Sequence, residues 1–216
     1  MFTPQDHWNR IYATKQAHEL SWTQDIPLTS LNFVHQYKPD KKASILDIGG
    51  GDSKLVDYLL DEGYENITVL DISAEALDRA RRRLGPKAYK VHWLVHDITD
   101  FKPTSKYDFW HDRATFHFLT TEAQVQRYLD IARHALNENG YLTIGTFSDQ
   151  GPKKCSGLDI VQYTEGTLSS TLSQGFKKIK CILEDHLTPF HTIQNFLFCS
   201  FIKGNNSGPE ENQPNK

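Results

Sequence analysis

The stretch Ser44-Ile-Leu-Asp-Ile-Gly-Gly-Gly-Asp-Ser53 constrains this chain more than any other. Ile45, Leu46 and Ile48 form a short apolar run that carries one acid, Asp47. The run breaks into Gly49, Gly50 and Gly51 before a new amphipathic segment begins. This reads as strand, tight turn and helix. Glycine lacks a Cβ, so it reaches positive φ and lets backbone come within contact distance of a bound molecule. A glycine-rich turn inside a βα unit is a common way to hold a nucleotide-like ligand.

What the turn lacks narrows the ligand. A dinucleotide fingerprint needs a glycine where this chain has Lys54, and no Gly-Lys-Ser/Thr follows at phosphate-loop spacing. The turn therefore suits a nucleoside and makes no demand for phosphate. Two further runs support that reading. Ile67-Thr-Val-Leu-Asp71 ends in an acid about twenty residues after Gly51, where a carboxylate can accept both hydroxyls of a ribose. Val91-His-Trp-Leu-Val95 is followed by Asp97 in His96-Asp-Ile-Thr-Asp100. Three strands ending in a glycine turn or an acid would line one edge of a sheet.

These segments resemble the class I S-adenosylmethionine-dependent methyltransferases. Ile45-Leu-Asp-Ile-Gly-Gly-Gly51 is similar to that family's first motif, Val69-Leu-Asp-Ile-Ser73 to its second and His96-Asp-Ile98 to its third, and the likeness extends from about Trp8 to Lys203. The resemblance implies an α/β fold: a doubly wound, Rossmann-like, seven-stranded and mostly parallel sheet, with an antiparallel last strand and helices on both faces. It implies S-adenosylmethionine as cofactor, S-adenosylhomocysteine as product, and no metal. By the same resemblance Gly49, Gly50 and Gly51, with Asp47 nearby, approach the methionine part. Asp71 and Ile72 take the ribose, Asp97 and Ile98 take the adenine, and Trp22 and Arg113 complete the cofactor site. One departure is Gly50, where the family often has cysteine; a backbone contact there is indifferent to that change.

A chain of 216 residues suits one domain that buries about 70% of the surface its unfolded form would expose. Hydrophobic residues are 38%, charged residues 24%, and the formal net charge is −3. Nothing here suggests a membrane span or a nucleic-acid field. Cys155, Cys181 and Cys199 are an odd number without C-x-x-C spacing, so neither a disulfide framework nor a zinc site is expected. The N-terminus lacks the basic start and apolar core of a signal peptide, and a cytoplasmic setting is the expectation. The chain is expected to act as a monomer or homodimer.

Along the chain, residues 1–40 form an N-terminal helical lid segment, 41–203 the catalytic domain and 204–216 a disordered tail with no large apolar residue. Trp8, Ile11 and Tyr12 share a face of a first helix starting at Pro4. Trp8, Tyr12 and Trp22 are candidates to cover the site, and Leu28 to Tyr37 reads as a second helix. Leu55, Val56, Leu59 and Leu60 face inward on a helix stopped at Gly63. Ser73 caps a helix running to Gly85-Pro86. The run Arg79, Arg81, Arg82 and Arg83 reads as a solvated face of that helix. A further helix carries Val125, Tyr128, Leu129, Ala132 and Leu136 inward and ends at Asn139-Gly140, before strand five from Tyr141 to Phe147. Residues 148–157 form a polar loop longer than a minimal turn, expected over the substrate side. A helix from Thr164 to Leu172 precedes a hairpin of Phe176 to Glu184 and Gln194 to Ile202.

Strand four, Tyr107 to Arg113, and the following Ala114-Thr-Phe-His-Phe-Leu119 are the most chemically loaded stretch. Ligands of doubly wound sheets bind beyond the carboxyl ends of the strands near the switch point, so Asp112, Arg113, His117 and His111 are the catalytic candidates. A histidine near its ordinary pKa suits removal of an acceptor proton, although alternation turns His111 and Asp112 to opposite faces. Methyl transfer from a sulfonium is an in-line displacement that needs placement and exclusion of water more than a protein nucleophile. A small-molecule acceptor fits a single domain without a recognition module. The alternatives are a protein lysine methyltransferase, a non-catalytic nucleoside-binding module and an aminopropyl transferase. The last would need an acidic pocket, to which only Asp112 contributes.

Overall fold

The computed structural model describes residues 3–204. Of the tail expected at 204–216, all but Gly204 lies outside the described residues. The chain runs α1 (Pro4–Thr14), α2 (Leu28–Tyr37), β1 (Ser44–Ile48), α3 (Leu55–Asp61), β2 (Asn66–Asp71), α4 (Ala74–Leu84), β3 (Val91–Val95) and β4 (Tyr107–Arg113). It continues through α5 (Glu122–Ala135), β5 (Leu136–Phe147), the two-residue strands β6 (Lys154–Cys155) and β7 (Leu158–Asp159), α6 (Glu165–Leu172), β8 (Phe176–Leu187) and β9 (Ile193–Lys203). The main sheet has seven strands in the order β3-β2-β1-β4-β5-β9-β8. β1 to β5 pair in parallel, and β9 is antiparallel to both of its neighbours. This is the expected doubly wound α/β sheet, with β9 as its antiparallel last strand.

Strand alternation divides the interior into two cores. Leu46 and Ile48 of β1, with Trp110 of β4, face one side and pack with Tyr128, Leu129 and Ala132 of α5 and Leu168 of α6. Ile45 and Phe109 face the other side and meet Phe33 and Val34 of α2, Leu55 and Leu59 of α3, and Leu77 of α4. Because the central strands are covered on both faces, they read in sequence as near-continuous apolar runs. The few polar residues within them are correspondingly informative.

Local chemistry sets the helix starts. Thr3 and Asp6 close a capping box on α1 with Pro4 in its first turn. The Ser73 hydroxyl accepts from the Ala76 amide at the start of α4, and Thr121 and Gln124 cap α5 reciprocally. Asn9 and Gln5 of α1 then reach the same corner of α4. Ser73 donates to Asn9 Oδ1 at 2.9 Å, and Gln5 Nε2 donates to the Ile72 carbonyl at 3.0 Å. Helix α1 is thereby fastened beside the end of β2.

Three sequence expectations need correction. The fifth helix stops at Ala135, not at Asn139-Gly140. Leu136 is already paired with Tyr107, the register shifts between Tyr107 and Phe109, and Asn139 takes φ +60°. The Asn137 side chain donates to Asp108 Oδ1 at 2.8 Å, so edge pairing overrides the continuing helical pattern. The arginine run is not simply a solvated face: Arg79 donates to the Lys15 carbonyl at the end of α1, and Arg83 donates to the Asp52 and Ser53 carbonyls and to Asp57. Finally, Cys181 and Cys199 are joined as a disulfide. They face each other across the β8·β9 ladder, a juxtaposition created by hairpin register and invisible in their spacing.

A crosslink closing an 18-residue separation should constrain the unfolded chain by about 3 kcal/mol. Dithiothreitol should therefore lower the calorimetric Tm by on the order of 10 °C. The Cys181→Ala, Cys199→Ala double variant should melt at that lower temperature with or without reductant.

Candidate active site

The carboxyl ends of β1, β2, β3 and β4 open into a cavity of about 370 Å³. Its floor begins at the glycine turn. Gly49 and Gly51 take φ of +60° and +52°, and the Gly50 amide donates to the Leu70 carbonyl at 3.2 Å, tying the turn to β2. A side chain at any of the three would collide. A Cβ at Gly49 would stand 1.7 Å from Thr115 Oγ1, one at Gly50 2.6 Å from Asp47 Oδ2, and one at Gly51 2.8 Å from the Tyr12 hydroxyl. The turn is thus a close-packed corner in which Gly49 faces the cavity.

Asp71, at the end of β2, stands on the wall with Ile72. Its Oδ1 accepts from the Ser73 amide at 2.7 Å, and the Gly51 amide also bonds to its carboxylate. Burial nevertheless dominates and pushes its pKa up to about 7, with Asp47 and Asp52 adding like-charge repulsion. Asp97 and Ile98 line the cavity beyond β3. There Asp97 Oδ1 caps a single 3-10 turn, Ile98–Asp100, by accepting from the Thr99 amide at 2.8 Å and the Thr99 hydroxyl at 2.7 Å. The two downstream acids and the glycine corner therefore share one cavity.

The roof is aromatic. Trp8 and Tyr12 of α1 and Trp22 beyond it line the space. Trp8 meets Trp22 at 5.8 Å and Phe118 at 5.2 Å, both edge to face, and Tyr12 meets Trp22 at 6.3 Å. The long loop closes one side. Ser156 and Gly157 turn it at positive φ between β6 and β7, so that Cys155, Leu158 and Asp159 reach the cavity wall. Burial raises the Cys155 thiol to about 12, leaving it uncharged at neutral pH.

Among the expected cofactor residues, Gly49, Asp71, Ile72, Asp97, Ile98, Trp22 and Arg113 line this space. Asp47, Gly50 and Gly51 lie behind it. Asp47 is 3% exposed and its Oδ1 meets His111 Nδ1 at 2.7 Å, while His111 Nε2 meets the Ser30 hydroxyl at 2.8 Å.

Of the expected catalytic residues only Arg113 reaches the wall. His111 is held between β1 and α2 by the contacts just given. Asp112 accepts from the Thr115 and Phe116 amides, each at 3.1 Å, and from the Tyr128 hydroxyl at 2.8 Å. It therefore fixes the turn after β4, where Ala114 takes φ +66°. Burial raises its pKa to about 6. His117 is fully buried and stacked on Phe147 at 4.7 Å; burial, then Arg113, lowers its pKa to about 3. Strand alternation and the cap made by Asp112 carry these three side chains into the two cores. The expected proton acceptor beside the methyl is not found at His111 or His117.

Sequence reading did not single out Thr115, Leu119, Thr120 and Gln124, which also line the cavity. Their position follows from the sharp turn after β4, and the only local sign of that turn is an alanine forced to positive φ. The Arg113 guanidinium donates through Nη1 to the Trp22 carbonyl at 2.8 Å and lies 4.8 Å from the Phe196 ring. Burial lowers its pKa to about 10, so it remains charged at neutral pH.

A ribose diol donates hydrogen bonds, so an Asp71 that served as its acceptor would bind in the ionised form. A raised pKa then makes affinity climb with pH until about 7 and level above it. S-adenosylhomocysteine should bind about tenfold more weakly at pH 6 than at pH 8 by calorimetry, and Asp71→Asn should weaken binding and flatten the profile. In the ligand-free protein the sign is opposite. The stabilisation linked to this proton is complete below the ordinary value of 3.8 and is lost as pH rises through about 7.

Comparison with known proteins accords with this geometry. A family profile described as a methyltransferase domain matches residues 45–140. The chain is 29% identical over 172 residues to malonyl-[acyl-carrier protein] O-methyltransferase 2 of Ilyobacter polytropus, covering 74% of this chain and 64% of that protein. It is 27% identical over 165 residues to the mouse eEF1A lysine and N-terminal methyltransferase, covering 72% of this chain and 23% of the relative. The chain thus spans less than two thirds of the length of these relatives. Among solved structures, the N-methyltransferase NodS of Bradyrhizobium japonicum with S-adenosylhomocysteine superposes with a TM-score of 0.70 at 18% identity, covering 92% of this chain and 99% of that one. A structure from work on conversion of a disulfide bond into a thioacetal group during echinomycin biosynthesis gives 0.75 at 16% identity, covering 94% of each chain. At these identities the structural likeness speaks to fold. With the domain match across the glycine turn and both acids, residues 45–140 are similar to a methyltransferase domain, and the fold is that of S-adenosylhomocysteine-binding methyltransferases.

Proposed function

We propose that this protein moves a methyl group from S-adenosylmethionine to a nucleophilic nitrogen, oxygen or sulfur atom of a small molecule, as a monomer or homodimer. The observation that carries this reading is the single cavity in which Asp71 and Asp97, the glycine corner and an aromatic roof converge. The residues fit the cofactor. Asp71 offers acceptors to ribose hydroxyls, Ile98 and the Asp97 turn offer an edge to adenine, and Gly49 presents backbone where a Cβ could not stand. When bound, S-adenosylmethionine supplies an electrophilic methyl together with its own leaving group.

The chain's task is then placement and exclusion of water. Trp8, Tyr12 and Trp22 close over the site, and the Cys155 hairpin closes its flank. Holding an acceptor near contact distance in such a space is worth roughly 7–11 kcal/mol of barrier. His111 and Asp112 act as positioning residues, the first through Asp47 and the second through the turn that carries Thr115. A base is required only if the acceptor arrives protonated, and Arg113 orients the acceptor.

A protein acceptor is the second reading, motivated by the lysine methyltransferase relative in mouse. The roofed cavity favours the small molecule. The cytoplasmic setting requires Cys181 and Cys199 to remain joined against a reducing thiol pool. Among the described residues no helix is long and apolar enough to cross a membrane.

Calorimetry should show binding of S-adenosylmethionine and S-adenosylhomocysteine by the wild type, weakened at least tenfold by Asp71→Ala. Methyl-labelled cofactor incubated with separate metabolite and protein fractions of a lysate should label metabolites. Label confined to protein would end the small-molecule reading.

A further inference from the structure

We propose that Arg113 anchors a carboxylate on the methyl acceptor, an inference that rests on the methyl-transfer reading above. The guanidinium uses only one of its edges in the fold. Nη1 donates to the Trp22 carbonyl. Nε and Nη2 are both buried and have no hydrogen-bond partner among the described residues. Buried donors are seldom left unmade in native proteins. Here two adjacent ones form the fork that matches the two oxygens of a carboxylate.

The fold's own acids do not fill that fork. Asp47 and Glu184 are near enough to favour the charged guanidinium, yet neither is hydrogen-bonded to it. Asp47 is committed to His111, and Glu184 accepts from Gln24 at 3.3 Å. The Cys155 thiol is nearby but uncharged at neutral pH. The Phe196 ring stands on one side, and with Trp22 and Phe118 it makes a low-dielectric surround in which an ion pair is strengthened.

Topology assigns this fork to the acceptor. In the strand order β3-β2-β1-β4-β5-β9-β8, the acids Asp71 and Asp97 follow β2 and β3, on one side of the glycine turn after β1. Arg113 ends β4 on the other side, among Phe196 of β9, Glu184 of β8 and the Cys155 hairpin. A cofactor whose sugar and base lie toward Asp71 and Asp97 leaves that side for the molecule receiving the methyl. The other available carboxylate is that of the cofactor's methionine part, and the experiment separates the two.

S-adenosylhomocysteine would be titrated into the wild type, Arg113→Gln and Arg113→Lys, each checked for a cooperative melt. Affinities within about threefold of wild type are expected. A loss beyond tenfold in both variants would give the fork to the cofactor's own carboxylate and overturn the proposal. The complex would next be titrated with phenylacetate and with uncharged phenylacetamide, followed by ligand-observed NMR. Wild type should prefer the acid at least tenfold, Arg113→Gln should abolish the preference, and Arg113→Lys, a point charge without a fork, should keep only part of it. Equal binding of acid and amide by the wild type, or a preference that survives Arg113→Gln, would refute the assignment. If the wild type failed to bind S-adenosylhomocysteine, the methyl-transfer reading would fall. The acid-over-amide preference measured without cofactor would still decide the role of Arg113.

Discussion

A carboxylate shut beneath the glycine turn is the constraint on which the site depends. A buried acid is costly unless it is hydrogen-bonded or paired. Asp47 meets that demand through His111, its registered neighbour on β4, and His111 passes the bond on to Ser30 of α2. The other Asp47 oxygen occupies the space a side chain at position 50 would need. One ionisable group therefore fixes the spacing of β1 and β4, the seat of α2 and the identity of a glycine. The acid, histidine and serine resemble a hydrolytic triad in order, but each is at most 3% exposed, and together they work as a brace.

The opposite face of β4 repeats the device one residue later. Asp112 gathers two backbone amides and the Tyr128 hydroxyl, and Tyr128 in turn accepts from the Trp110 indole at 2.8 Å. This chain of bonds holds the turn that brings Thr115 against Gly49. Adjacent residues on one strand, pointing into different cores, thus support the two backbone segments that meet at the cavity. Arg113, the next residue, is the first of the strand to reach the cavity wall.

Much of this was legible in sequence because it is locally encoded. Apolar runs ending in Gly49, Asp71 and Asp97 specify strand ends, and capping residues such as Ser73 and Thr121 specify helix starts. Family resemblance then supplied the number of strands and the antiparallel last one, while their full order came from the structure. What escaped depends on contacts between distant segments. His117 looks like an exposed base in its string of aromatic neighbours but stacks inside on Phe147. The helix of Leu129 and Ala132 stops early because β5 pairs with Tyr107. The Cys181–Cys199 link exists only in the hairpin register. Arg79 and Arg83 share a run that reads as solvent-facing, yet their partners lie some thirty to sixty residues away.

Arg79 has the widest reach of these. It bonds the carbonyl where α1 ends, lies 3.7 Å from the Asp52 carboxylate just past the glycine turn, and stands 5.7 Å from the Tyr12 ring. One side chain thus joins roof and floor, alongside the contacts that Asn9 and Gln5 of α1 make with Ser73 and Ile72. The pieces above and below the cavity are therefore not mechanically independent: a displacement of α1 pulls on the carbonyl that Arg79 bonds and, through the same guanidinium, on the acid that follows the glycine turn.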